Sequence, residues 1–188
     1  MKRYQKTLLQ VIVLIGVVVL AFYLAELSTQ TESIKNTVHR FGYIGIFVVA
    51  IIGGFNLLIP VPAAAFMPLI LAAGLKFWPA VTIIVLGVTL ADMTAFIIGK
   101  LSHNITYASA DSQKMLTRLQ KMRERYKFAP MLVLFLFASF APIPNEVILV
   151  PFGFMGYRFN QVFPFVLAGN LLFTILYSSV LINVFQSL

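Results

Sequence analysis

The chain contains no cysteine. That excludes disulfides, iron–sulfur clusters, thiolate zinc sites and a cysteine nucleophile, and it leaves the compartment open. Acids are scarce as well, six Asp and Glu against fourteen Lys and Arg, and there are only two His. A membrane protease or phosphatase needs a convergent acid, base and nucleophile. Asp92 and Glu146 are the acids at depth within apolar runs, and neither has a partnering His. Walker A, H-E-x-x-H, G-x-S-x-G and C-x-x-C patterns are missing too. An enzyme is therefore not expected, and no cofactor or metal is called for.

What the chain has in abundance is apolar surface. Of its 188 residues 60% are hydrophobic, and the mean hydropathy is +0.94. That leaves too little polar surface to cover a soluble core, so the sequence reads as an integral membrane protein. Its length allows one compact domain of a few spanning segments. The net charge of +8 would suggest nucleic acid in a soluble protein. Here the basic residues fall between hydrophobic runs, where topology and anionic lipid headgroups explain them and nucleic acid is not expected.

The chain order suggests a first segment, 1–40, and a core, 41–188. Lys2, Arg3 and Lys6 precede an apolar run from Leu8 to Ala25, long enough to cross the hydrocarbon. It reads as a retained anchor, because the run is long for a signal peptide and no clean Ala-x-Ala site follows Leu24. A polar link covers 26–40. An apolar stretch from Phe41 to Ile59 then ends at Pro60-Val61-Pro62, and a short return over 63–75 reaches Phe77-Trp78-Pro79 and a crossing helix over about 79–99. Residues 101–127 are basic, and Met115, Leu119, Met122 and Tyr126 fall on one helical face. This predicts an amphipathic helix lying on the membrane surface. Residues 128–141 lead into a second break at Pro142-Ile143-Pro144, 145–157 return, and Asn160 to Phe185 holds the last crossing.

The two breaks are copies. Pro142, Pro144, Gly156, Phe159 and Gly169 stand 82 positions after Pro60, Pro62, Gly74, Phe77 and Gly87, with Arg158 on Lys76 and no gap needed. Each Pro removes a backbone N–H and disfavours helix in the residue before it. A backbone opened inside hydrocarbon must find partners in protein or in a wet cavity. Two broken segments in corresponding halves predict repeat 1 (41–100) and repeat 2 (128–188), each a re-entrant helical hairpin followed by a transmembrane helix. The expected fold is all-α and polytopic, with an N-terminal transmembrane helix and the surface connector added to this inverted repeat.

Eleven of the fourteen basic residues lie in the N-terminus, the 100–127 stretch and at Arg158. The positive-inside rule then places the N-terminus and the connector in the cytoplasm and the C-terminus outside. The two hairpins enter from opposite sides, as an inverted repeat requires. On this topology His39 and His103 lie on opposite sides and cannot share a metal.

Glu146 and Asp92 are the leading candidates for function. A carboxylate at mid-bilayer costs roughly 2.5–3.5 kcal/mol unless it is paired, hydrated or protonated. Glu146 could bear a proton or touch substrate, or it could cap exposed N–H groups at the turn. Asp92 has a similar choice between function and a structural bond to the opened backbone near Pro60. Asn145 and Asn56 sit beside the breaks and could satisfy freed backbone groups. Arg158 either snorkels to the interface, as Lys76 does, or holds a phosphate. Ser139 reads as a core or turn residue.

The paired Pro-x-Pro segments, Gly74 and Gly156 fourteen residues after the first Pro of each, and the helix after each hairpin resemble the DedA and VTT-domain superfamily, also known as SNARE-associated Golgi proteins. The resemblance covers about residues 41–185. Pro142-Ile143-Pro144-Asn145-Glu146 is similar to the short prokaryotic branch. Two positions depart from that pattern: Ser139 stands where many relatives have Arg, and Ala64, the repeat equivalent of Glu146, stands where they often have an acid. The resemblance implies translocation of lipid headgroups between leaflets, by phospholipid scrambling or polyprenyl-phosphate flipping, in the plasma membrane of a prokaryote. It also implies membrane lipids with anionic headgroups as partners and proton coupling in some members; the sequence leaves the oligomeric state open, a homo-oligomer included. The rival expectations are a proton- or cation-coupled transporter of a small solute and a non-transporting membrane scaffold.

Overall fold

The computed structural model describes residues 3–55, 62–102, 117, 128–141 and 144–187. The chain is an all-α, multi-pass membrane protein. In order come α1 (Arg3–Gln30), α2 (Glu32–Gly54), a 3-10 turn (Ala63–Phe66), α3 (Met67–Ala72), α4 (Phe77–Leu101), α5 (Ala129–Phe140), α6 (Glu146–Phe154) and α7 (Phe159–Gln186). Among the described residues, Lys35–Gly54, Phe77–Leu101 and Phe159–Gln186 are the helices long and apolar enough to cross a membrane. Pro60, Pro142, Asn56 and nearly all of the 101–127 connector, His103 included, lie outside the described residues.

The apolar stretch after Phe41 is not one straight helix. Gly42 breaks α2 with φ +51° and ψ −146°, a backbone region that a side chain would make costly. The helix beyond the break, residues 43–54, has twelve residues, and α5 also has twelve. At 1.5 Å per residue each rises about 18 Å, well short of a hydrocarbon core of ~30 Å. The helix that forms after Gly42 ends at Gly54, and its last turn closes with the Phe55 N–H on Ile52 O.

After each break the backbone repeats its hydrogen bonds. Ala65 N–H donates to Pro62 O, and Val147 N–H donates to Pro144 O. At the ends of α3 and α6, Ala73, Gly74 and Leu75 donate to Leu69, Leu71 and Ile70; Met155, Gly156 and Tyr157 donate to Pro151, Gly153 and Phe152. Every one of these residues has its counterpart 82 positions on. Gly74 and Gly156 adopt φ +86° and +74°, the left-handed residue that closes such a helix end. The next helices start at Phe77 and Phe159.

The arms before the breaks follow a different offset. A Cβ placed on Gly87 would lie 2.7 Å from Ala50 Cβ and 3.1 Å from Phe47 O; one placed on Gly169 would lie 2.6 Å from Ala138 Cβ and 3.1 Å from Phe135 O. Ala138 and Phe135 stand 88 positions after Ala50 and Phe47, so the gap-free match of the sequence holds after the breaks and not before them. The chain between the first arm and its return is six residues longer in the first copy.

The residues form two compact units, 1–88 with 174–188, and 89–173. In the first, α1 packs on α2, the 3-10 turn and α3, with Ala21 and Ala25 fully buried and the Phe22 and Phe185 rings 5.7 Å apart. Tyr43, the residue after the α2 break, accepts from the Lys76 N–H through its hydroxyl at 3.2 Å. In the second unit Phe96, Leu134, Ile148, Leu149, Phe152 and Val166 form the core. There α4 and α6 meet backbone to backbone, since a Cβ on Gly99 would strike Val150 O and one on Gly153 would strike Phe96 O. Small residues that let helices approach this closely are the usual packing device in lipid.

Along α4 the polarity is arranged against the soluble pattern. Leu86, Leu90 and Ile97 are about half exposed, while Thr89 and Asp92 are buried. Apolar side chains outside and polar ones inside is what lipid as a solvent selects.

Candidate functional site

The second unit collects its buried polar side chains in one cluster. α4 supplies Thr89 and Asp92, one helical turn apart on its inner face. The chain leaving the Pro142–Pro144 break supplies Asn145 and Glu146 at the start of α6. α7 supplies Asn170, directly after Gly169, the residue whose missing side chain lets α5 approach.

Asp92 Oδ2 accepts two hydrogen bonds, from Asn170 Nδ2–H at 2.7 Å and from Asn145 Nδ2–H at 2.9 Å. Asn145 Nδ2–H also donates to Asn170 Oδ1 at 3.1 Å, and Asn170 Nδ2–H donates to Thr89 Oγ1 at 3.1 Å. Four side chains from three helices therefore close a network around one carboxylate oxygen. Asp92 is fully buried, Asn170 is 3% exposed and Asn145 is 9% exposed.

The rest of the two carboxyl groups is left over. Asp92 Oδ1 and both Oε atoms of Glu146 are buried with no hydrogen-bond partner among the described residues. Glu146, the residue after Asn145, is 4% exposed. An unpaired polar group inside hydrocarbon is costly. The arrangement suits a group that arrives with positive charge or with protons.

The structure thus brings Asp92, Asn145 and Glu146 together. Asn145 serves the Asp92 carboxylate and makes no side-chain cap on α6, and Glu146 accepts no bond from the turn's N–H groups. The capping roles expected from sequence are therefore not the ones these two residues fill. Asp92 likewise bonds to side chains, where the sequence suggested opened backbone. Pro62 and Pro144 lie partly buried at the two breaks. Arg158 stands apart, exposed in the turn before α7, its N–H donating to Gln161 Oε1 at 3.2 Å. Ser139 is buried and donates to Phe135 O at 2.7 Å.

Asn170 and Thr89 were not singled out in the sequence. The signal for Asn170 was its place beside Gly169, with Thr174 and Ser178 following at intervals of four, a buried polar stripe on an apolar helix.

Two open grooves are apolar, and neither is lined by a residue of the cluster. One, of about 240 Å³, lies in the first unit and includes Val17, Leu20, Val49, Ile52 and Phe66. The other, of about 310 Å³, lies in the second unit between α5 and α7 and includes Leu132, Phe135, Pro164 and Phe165.

The chain matches no family model, no curated protein and no solved structure.

Proposed function

We propose that this protein moves lipid headgroups between the leaflets of its membrane, as the DedA and VTT-domain proteins it resembles are expected to do, and that the cluster of Thr89, Asp92, Asn145, Glu146 and Asn170 is where the headgroup passes. One observation carries the reading. Two carboxyl groups lie buried in an apolar helical protein, three of their four oxygens without a partner among the described residues. Stability alone disfavours such groups, so their presence at depth points to transport work.

Other features support it. The kink that leaves twelve helical residues before the first break, the twelve-residue α5 before the second, and the same hydrogen bonds after both breaks fit an inverted repeat of re-entrant hairpins. On this reading the hairpins enter from opposite sides of a prokaryotic plasma membrane, with the N-terminus and connector in the cytoplasm. The apolar grooves offer acyl chains a place beside the helices while the headgroup moves through the polar centre. Glu146, at the first turn after the break, couples a proton or a bound cation to the opening of that centre, because only a ligand that favours one state over the other shifts their populations.

A second reading has one observation in its favour. The cluster is enclosed and neither groove reaches it, which suits a small solute carried with a proton or cation. Reconstitution into liposomes with fluorescent phospholipid and polyprenyl-phosphate reporters separates the two. Faster leaflet exchange with protein than without is expected. Equal exchange in protein-free and protein-containing vesicles would remove the lipid reading.

A further inference from the structure

We infer that the Asp92–Glu146 pair is a binding site for a primary ammonium group, carried on a lipid headgroup or on a free amine. The inference rests on reading the cluster as the headgroup site, and it names the part of the headgroup the site recognises.

The first step is charge. Among the described residues of this unit the basic side chains are Lys100 and Arg158, and both are exposed. Lys100 lies eight positions beyond Asp92 on α4, roughly 12 Å along the helix axis. Arg158 sits in the turn after α6, hydrogen-bonded through its backbone to Gln161. The groups bonded to the Asp92 carboxyl are neutral: Asn145 from the chain entering α6 and Asn170 from α7, which also donates to Thr89 of α4. Among the described residues of this unit, a phosphate would meet two acids here and no buried base, and a cation would meet two acids and no buried rival.

Hydrogen-bonding capacity is the second step. The carboxamides spend their donors on Asp92 Oδ2, Asn170 Oδ1 and Thr89 Oγ1. What remains is an acceptor set of three oxygens, Asp92 Oδ1 and Glu146 Oε1 and Oε2, each buried and without a partner among the described residues. A primary ammonium presents three N–H donors and no acceptor. Donor and acceptor numbers match, and each bond is charge-assisted. A quaternary ammonium brings the same charge and no donor, so it neutralises the pair but leaves all three oxygens unsatisfied. A buried site built to hydrogen-bond discriminates strongly against the analogue that lacks the donors.

Geometry supplies the third step. The two carboxyls come from different kinds of element. Asp92 is fixed in the middle of α4 by its two carboxamide bonds, whereas Glu146 sits on the first residue of α6, next to the break. Because the oxygens are enclosed, a ligand reaches them only when the packing around them opens.

The test uses the full chain in detergent micelles doped with phosphatidylethanolamine or with its mono-, di- and trimethylated forms, with native mass spectrometry to count retained lipid. Each methyl group removes one N–H donor and keeps the charge. Retention is expected to fall stepwise along the series, by about tenfold or more overall, and to flatten in Glu146→Gln. Free ethanolamine competing for the lipid would extend the site to any primary amine. A graded series that free ethanolamine leaves unchanged would confine it to the lipid-borne group. A flat series in the natural chain would overturn the inference, as would sodium displacing the lipid as well as ethylammonium at equal ionic strength. Binding is read here without transport, so graded retention with no leaflet exchange would sink the translocation reading alone, and exchange with a flat series would sink the ammonium site alone.

Discussion

Asp92 and Asn170 stand 78 positions apart in the chain and 2.7 Å apart in space, with the Asn170 amide donating to Asp92 Oδ2. Asn170 also reaches Thr89 and receives the Asn145 amide, so it is the member on which the rest of the network depends. Asn170→Leu removes two donors from buried acceptors and is expected to destabilise the protein by about 2–4 kcal/mol. Thr89→Val, which removes one acceptor, is expected to lose only about 1 kcal/mol. Thermal unfolding in micelles checks the order, and a larger loss for Thr89→Val would contradict it.

The returning arms end on glycines in the same left-handed conformation, and nothing lies within 4 Å of where a Cβ would sit on either. The penalty of a side chain there is backbone strain alone. Gly74→Ala and Gly156→Ala should each destabilise by about 1–2 kcal/mol and by similar amounts. Unfolding midpoints of the two variants, compared side by side, test whether the turns are equivalent in energy as they are in hydrogen bonding.

Gly87 and Gly169 are limited by space. Their nearest obstacles are the side-chain carbons of Ala50 and Ala138, so Gly169→Ala should cost about 1–3 kcal/mol and should be rescued in part by Ala138→Gly. The pair Gly87→Ala with Ala50→Gly should behave alike. Gly99→Ala meets the backbone of Val150, and no second-site glycine can relieve it. Double-mutant cycles on stability read this contrast, and full additivity at Gly169 and Ala138 would contradict it.

Much of this was legible in the sequence for a simple reason. In an apolar chain every polar or helix-breaking residue stands out, so Asp92, Asn145, Glu146 and the Pro-x-Pro pairs announced themselves, and the 82-residue spacing matches the hydrogen bonds after the breaks and the starts of the helices that follow. The kink at Gly42 was hidden, because one glycine among four in an apolar run carries no sign of its φ. The 88-residue offset of the first arms was hidden too, since Phe47 and Ala50 look like many other apolar residues. Asn170 was overlooked because one carboxamide among several in a long helix could equally have faced outward. Only the fold shows that it points at Asp92.

The proposed sidedness rests on the distribution of basic residues. α4 has 25 residues, about 37 Å at 1.5 Å each, enough to put Lys76 and Lys100 on opposite faces of a membrane. Lys76→Cys should react with an impermeant maleimide from outside, while Lys100→Cys and Arg158→Cys should react only after the membrane is opened. The absence of native cysteine makes each label unambiguous. Labelling of Arg158→Cys from outside would reverse the assigned orientation of the second hairpin.

The most direct measurement is the leaflet-exchange rate of Glu146→Gln against the natural chain in the same vesicles, with unfolding midpoints confirming that both are folded. Gln keeps the shape of Glu146 and removes its charge and its proton. Exchange driven by the natural chain and largely lost in the Gln variant is the expected result; equal exchange by the two folded proteins would contradict a role for the buried carboxyl pair in transport.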